Sequence, residues 1–263
     1  MISRVRRRRL KAVLFDKDGT LLDFHATWSP ILRDLAFDLA HGDEIEAGRL
    51  LDIGGYDAAT GRIISGSVLA AGNTMDLVAL WYPHASGIRR DALVQRIDAR
   101  FCEGVVAGSV PVPGLVGTLD TLAAAGLVLG IATSDSTSTA RAGINALGLD
   151  DRFTSILGYD AVLNPKPAPD LVWEFCRAAS IGPSEVAVVG DSLHDLSMAR
   201  SAGAGAAIGV LGGTSGMDDL ASFADAVIDS LAHLPGWLGI DAPQGRASVD
   251  GCTLEVSGRA DSG

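Results

Sequence analysis

An apolar run, Ala12-Val13-Leu14-Phe15, stops abruptly on Asp16-Lys17-Asp18-Gly19-Thr20, and that ending restricts what this chain can be. A buried strand has no structural need for two carboxylates at its C-terminal end, because charges near a core are costly unless a cation or hydrogen-bond donors compensate them. Asp and Gly are also common turn formers, so the pair alone fits a solvated turn equally well. The choice depends on whether other polar groups gather at equivalent places.

The rest of the chain predicts a scaffold that gathers them. Strand-like apolar runs fall at 10–15, 127–133, 153–157, 186–190, 204–210 and 226–228,. Helical segments lie between them: Thr137 to Leu147, stopped by Gly148; Pro169 to Ala179, with proline in its first turn; Leu193 to Ala202, stopped by Gly203,. Nearly continuous apolar strands between amphipathic helices predict an α/β fold, a doubly wound, Rossmann-like parallel sheet covered on both faces.

One stretch breaks the alternation. From Phe24 to Gly108 the apolar residues recur at helical spacing, as in Trp28, Ile31, Leu32, Leu35 and Leu39 and again in Leu93, Ile97 and Phe101, and this predicts an inserted all-helical domain,. Its glycine-rich middle, Ile53 to Ser67, reads as loop. The expected organisation is an α/β core of residues 10–23 and 109–240, a helical domain of 24–108, a basic arm of 1–9 and a loose tail of 241–263, with Cys252 to Val256 as a short strand candidate in the tail.

Composition excludes several classes. The net charge of −11 argues against a nucleic-acid partner, which needs a basic surface,. Six of the 21 basic residues (Arg4, Arg6, Arg7, Arg8 and Arg9 in the arm and Lys11 just after it) fall in residues 1–11, which hold no acid, so the remainder sets 15 bases against 32 acids; the arm reads as a solvated terminus. No apolar run approaches the roughly 18–20 residues that cross a bilayer, and no apolar stretch follows the arginines as a secretory signal requires. The expected location is the cytoplasm, as a monomer or homodimer. Cys102, Cys176 and Cys252 are widely spaced, without a CxxC or histidine pattern, and predict neither a disulfide framework nor a zinc site.

In an open parallel sheet, ligands bind beyond the carboxyl ends of the strands. Asp16 and Asp18 end the first predicted strand, Thr133 and Ser134 the second, and Asp191 follows Val186 to Gly190, so all should meet at one edge. Lys166 lies in the connection after 153–157, stiffened by Pro165 and Pro167. It is one of three lysines against 18 arginines, which suggests that a compact point charge is wanted there. Singly, Thr133 also reads as an ordinary strand-end threonine, Asp195 as a helix N-terminal charge, Lys166 as a loop cation and His194 as a surface residue; Gly212 to Gly216 follows a strand and reads as a plain turn, with the rim of the pocket as its other reading.

Asp16-Lys17-Asp18-Gly19-Thr20, Thr133, Lys166-Pro167-x-Pro169 and Gly190-Asp191-Ser192-Leu193-His194-Asp195 resemble, in order and spacing, the four motifs of the haloacid dehalogenase superfamily, in particular its phosphoglycolate phosphatase-like members. The resemblance covers about residues 10 to 240, and makes 24–108 that family's cap domain. It implies a phosphatase acting on a small phosphate ester. Asp16 would be the nucleophile that becomes an aspartyl-phosphate and Asp18 the general acid and base. Mg²⁺ would be held by Asp16, Asp191, the backbone oxygen of Asp18 and Asp195, the last as ligand or orienter. Thr133 and the backbone N–H groups of Ser134 and Lys17 would hold phosphoryl oxygens, while Lys166 offsets the charge around Asp16.

Rival readings separate on residues. A dehalogenase of this fold works without the second acid and the metal, and a phosphonate-cleaving relative needs a cap lysine, which 24–108 lacks. A sugar phosphomutase keeps all four motifs and adds a histidine in the first cap helix about where Trp28 falls; His25 keeps that reading open. A non-catalytic binding module would have no reason to retain clustered charges. Phosphoglycolate is the substrate the resemblance implies, with His25, Trp28, Tyr56, Asp57 and Arg62 as candidate cap contacts and Arg62 as anchor for a second anionic group.

Overall fold

The computed structural model describes residues 10–240. The basic arm and the tail, with Cys252 and its candidate strand, lie outside the described residues. Strand β1 (Ala12–Phe15) leads into the insert, which holds α1 (Phe24–Leu39), α2 (Glu44–Gly54), a small hairpin of β2 (Tyr56–Asp57) and β3 (Arg62–Ile63), α3 (Val68–Ala71), α4 (Thr74–Trp81) and α5 (Gly87–Gly108). Helices and strands then alternate: α6 (Leu115–Ala124), β4 (Val128–Ala132), α7 (Thr137–Ala146), β5 (Ser155–Leu157), α8 (Asp170–Ala179), β6 (Val186–Gly190), α9 (Leu193–Ala202), β7 (Ala206–Val210), α10 (Met217–Ala221), β8 (Ala226–Ile228) and α11 (Leu234–Leu238).

The six longer-range strands form one sheet in the order β5-β4-β1-β6-β7-β8, every pairing parallel. Alternate residues of β1 enter opposite cores. Val13 and Phe15 pack in one apolar cluster, Ala12 and Leu14 in another on the far face, as expected for a strand whose side chains point to both sides. β1 therefore lies in the middle of a sheet covered by helices on both faces. It is also where the strand order reverses, since the chain passes from β1 to β4 and β5 on one side and to β6 and beyond on the other, and such a switch point opens a crevice at the carboxyl edge.

Register fixes what reaches that crevice. Phe15 is level with Ile131 of β4 and Val189 of β6, so Asp16, Thr133 and Asp191 leave the sheet side by side. The insert folds around a third apolar cluster running from Phe24 to Val105. Trp28 and Phe101 meet edge to face at 4.9 Å, and the Trp81 indole donates to Leu50 O at 2.8 Å. Three of its helices are capped by side chains: Asp23 accepts from Ala26 N–H, Asp43 from Ile45 N–H, and Asn73 and Asp76 form a reciprocal capping box,. The insert departs from the all-helical expectation at β2 and β3, two residues each, where Tyr56 pairs with Ile63 and Asp57 with Arg62. Among the described residues no helix is long and apolar enough to cross a membrane, and Cys102 and Cys176 are free.

Candidate active site

Four segments distant in sequence converge at the carboxyl edge of β1. Asp16 is buried, and its backbone N–H donates to Val189 O at 2.8 Å, which ties it to β6. Lys166, also buried, donates from Nζ to Asp16 Oδ1 and to Asp195 Oδ1, both at 2.6 Å. The peptide between Lys166 and Pro167 is cis. Asp195 occupies two roles at once. Its Oδ2 accepts from Ser192 N–H at 3.1 Å and Ser192 Oγ at 2.6 Å, closing the capping box of α9, while Oδ1 serves Lys166. A helix cap thus fixes the carboxylate that fixes the lysine. Asp191, at the end of β6, accepts from Thr214 N–H at 3.0 Å through Oδ2.

Carboxylate oxygens of Asp16, Asp191 and Asp195 lie within 4.8 Å of one another. Burial, reinforced by Asp195, Asp191 and Asp18, raises the Asp16 carboxyl well above the usual range even though Lys166 pulls it down. Burial, with Asp195 beside it, pushes Asp191 up to about 7. For Lys166, burial acts downward, but Asp16 and Asp195 outweigh it and the ammonium is held above its ordinary value. One ammonium among three buried acids leaves negative charge uncompensated, so the cluster suits a divalent cation. The donors are all oxygen, the preference of a hard ion. The surrounding backbone packs closely on the Asp191 carboxylate, since a Cβ on Gly19 or Gly213 would overlap it. Gly19 further takes a φ of +87°, which few side chains tolerate,.

Lys17 is not at the surface of the site. It is wholly buried, donates to Asp18 Oδ1 at 2.6 Å, pairs with Asp135 Oδ2 at 3.0 Å and sits 5.5 Å above the Trp28 ring. Burial lowers its proton affinity, yet Asp135 and Asp18 more than offset this and raise it. Asp135, which sequence reasoning passed over, is pushed up to about 7 by burial, with Lys17 pulling it down and Asp18 pushing it up. A lysine between two aspartates at a strand end was the available signal, because such an ammonium needs a second carboxylate once it is buried. Thr133 is buried and its Oγ1 accepts from Asp135 N–H at 3.2 Å.

The insert closes over this edge. Ser134 Oγ donates to Ala71 O at 3.3 Å, and His194 Nδ1 lies 3.2 Å from the same carbonyl. His194 therefore contacts the insert, where sequence reasoning made it a plain surface residue. The turn at Gly212 to Gly216 likewise belongs to the site: Thr214 holds Asp191, and Ser215 Oγ meets Ser65 Oγ of the insert at 3.2 Å. Between core and insert lies a cavity of about 60 Å³, lined by Asp16, Asp18, Thr133, Ser134, Asp135, Lys166, Asp191 and Asp195 on one side and by Trp28, other apolar insert residues, Asn73 and Thr74 on the other. His25, Tyr56, Asp57 and Arg62 do not line it. Ile63 turns into the insert core, so the alternation of β3 sends Arg62 to the exposed face,. The ring nitrogens of His25 are buried without a partner among the described residues, and burial, then Arg62, lowers its proton affinity.

A family model described as haloacid dehalogenase-like hydrolase matches residues 10–203. The chain belongs to that family. Across its length this haloacid dehalogenase-like hydrolase is 30% identical to a phosphoglycolate phosphatase of Rhodospirillum rubrum, covering 89% of this chain and 93% of the relative. It is 32% identical to the probable phosphatase IndB of Dickeya dadantii, covering 85% and 91%. Among solved structures, CbbY from Rhodobacter sphaeroides in complex with phosphate superposes with a TM-score of 0.65 at 24% identity, over 86% of this chain and 96% of the other, a likeness of fold. The hydrolase is a phosphoric monoester hydrolase.

Proposed function

We propose that this hydrolase cleaves small organic phosphate monoesters by way of a phosphoryl group carried on Asp16, with Mg²⁺ at the Asp16, Asp191 and Asp195 cluster and with residues 24–108 acting as a cap over a core of 10–23 and 109–240. The observation that carries the reading is the position of Lys166, whose ammonium bonds carboxylates from two other segments of the chain at 2.6 Å each.

The chemistry follows from the residues. Lys166 engages Oδ1 of Asp16 and leaves Oδ2 to attack phosphorus, as the ester P–O bond breaks. Asp18 gives its proton to the departing alkoxide, and the alcohol leaves. As a carboxylate, Asp18 then takes a proton from water while that water's oxygen attacks the aspartyl-phosphate, releasing phosphate and restoring Asp16. Thr133, with the backbone N–H groups of Ser134 and Lys17, steadies the phosphoryl oxygens. The bound cation, which the Asp18 carbonyl would also help hold, supplies positive charge that lets a phosphate dianion approach several acids.

Two observations shape the alternatives. A mutase would need a proton carrier over Asp16, and the one histidine offered for that role, His25, is not part of the cavity wall. A cavity of about 60 Å³ is smaller than the roughly 150 Å³ that holds a benzene, so an ester of that size is held only with the cap drawn back from the core. The deciding experiment is a panel of phosphate esters, including sugar phosphates, assayed with and without Mg²⁺ for free phosphate and for isomerised sugar. Mg²⁺-dependent phosphate release is expected. Isomerisation without net release would establish the mutase, and no reaction on any ester would leave a binding scaffold.

A further inference from the structure

We infer, resting on the phosphatase reading, that the ester this site accepts has an uncharged and mainly apolar alcohol part, and that a carboxylated one such as phosphoglycolate is a poor substrate. The cavity has two unlike halves. The core supplies the groups that serve a phosphoryl unit. The insert supplies mainly apolar side chains, Phe24, Trp28 and Leu32 from α1, Leu69 from α3, Leu77 from α4 and Phe101 from α5, with Asn73 and Thr74 as its polar members; Thr74 Oγ1 is committed to Asp98, and the Asn73 amide carries no charge to offset a carboxylate's. With phosphorus placed at Asp16, the rest of the ester can only face that second half.

Charge makes the preference sharp. Lys166 is the one cationic side chain among the described residues lining the cavity, against the carboxylates of Asp16, Asp18, Asp135, Asp191 and Asp195. It is committed to Asp16 and Asp195, and Lys17, behind the wall, is committed to Asp18 and Asp135. Arg62, the natural anchor for a second anion, lies on the exposed face of β3 and outside the cavity. A carboxylate on the alcohol part would therefore be stripped of water against apolar side chains, facing acids, with no cation to receive it. The indole N–H of Trp28, one of the residues of that wall, is buried and has no acceptor among the described residues. Being neutral, it does nothing for a carboxylate's charge.

The preference is read from kcat/KM of the full chain with Mg²⁺ on phenyl phosphate, n-butyl phosphate and phosphoglycolate. The uncharged esters should exceed phosphoglycolate by about tenfold or more, since even a single methylene in an apolar pocket is worth about that factor. Equal or reversed values overturn the inference. Val68 and Ala70 line the same wall and are half-buried, so Val68→Arg and Ala70→Arg place a cation there without emptying the insert core. Either folded variant should move the ratio toward phosphoglycolate by about tenfold; no movement means that the wall does not meet the alcohol part. Calorimetric titration of the wild-type protein with benzylphosphonate and with phosphonoacetate needs no turnover. Tighter binding of benzylphosphonate is expected, and equal or tighter binding of phosphonoacetate contradicts the inference. If no ester is hydrolysed, the proposed activity falls while the two titrations still decide the character of the wall.

Discussion

Lys17 has no water to return to: its ammonium is enclosed by Asp18, Asp135 and the face of Trp28. Removing one partner of such a buried network strands the others, at about 3–5 kcal/mol. Lys17→Met should lower the urea-unfolding free energy by about that amount, and adding Asp135→Asn should restore a large part of it. The sign with pH follows from the same groups. Lys17, with its proton affinity raised, contributes in full below its unfolded value of 10.5 and loses the contribution only as pH rises past the folded value. Asp135, pushed up to about 7, sheds its charge as pH falls through that value, so the Lys17→Met penalty should be smaller at pH 5 than at pH 8. Here the sequence was legible only in part. The meeting of Asp16, Asp191 and Lys166 at one edge was legible in strand ends and a lysine between prolines, whereas Asp135 depends on where the Lys17 side chain turns, which backbone pattern does not encode.

At the scale of elements, strand ends and the loops that follow them set the geometry. All six sheet strands fall inside the apolar runs expected for them, trimmed by up to two residues at their ends, because a continuous buried strand leaves an unbroken apolar signature. β2 and β3 left none, since two residues are too short to show a period. The turn after β7 was legible only as a candidate rim of the pocket: the contact of Gly213 with Asp191 depends on the path of the turn, which the residues of Gly212 to Gly216 do not encode. That contact gives a prediction. Gly213→Ala would drive a methyl into the Asp191 carboxylate, so it should weaken Mg²⁺ binding by about 10–100-fold, the usual effect of disturbing a ligand's support. Calorimetric titration with Mg²⁺ measures this. An affinity equal to wild type would separate Asp191 from the metal.

Over the whole molecule, function depends on how the insert meets the core. Asp98 of α5 accepts from Tyr159 Oη at 2.8 Å and from Thr74 Oγ1 at 2.5 Å, joining the two bodies beside the cavity. Tyr159→Phe should cost about 1 kcal/mol, the net worth of one hydrogen bond, in an unfolding titration, and should raise KM as closure weakens. The acidic cluster also couples stability to metal. Mg²⁺ competes with protons for carboxylates whose proton affinities are raised, Asp191 at about 7 among them, so the rise in Tm on adding Mg²⁺ should grow from pH 5.5 to pH 8. A rise independent of pH would mean that these acids are not the ligands.

The central claim, that Asp16 receives the phosphoryl group, is tested most directly by acid-quenching the protein during turnover of phenyl phosphate and mapping the modified peptide by mass spectrometry. One phosphoryl group on Asp16, absent from a folded and inactive Asp16→Asn variant, is the predicted result. Turnover that persists in Asp16→Asn, or a phosphoryl group carried on another residue, would contradict it.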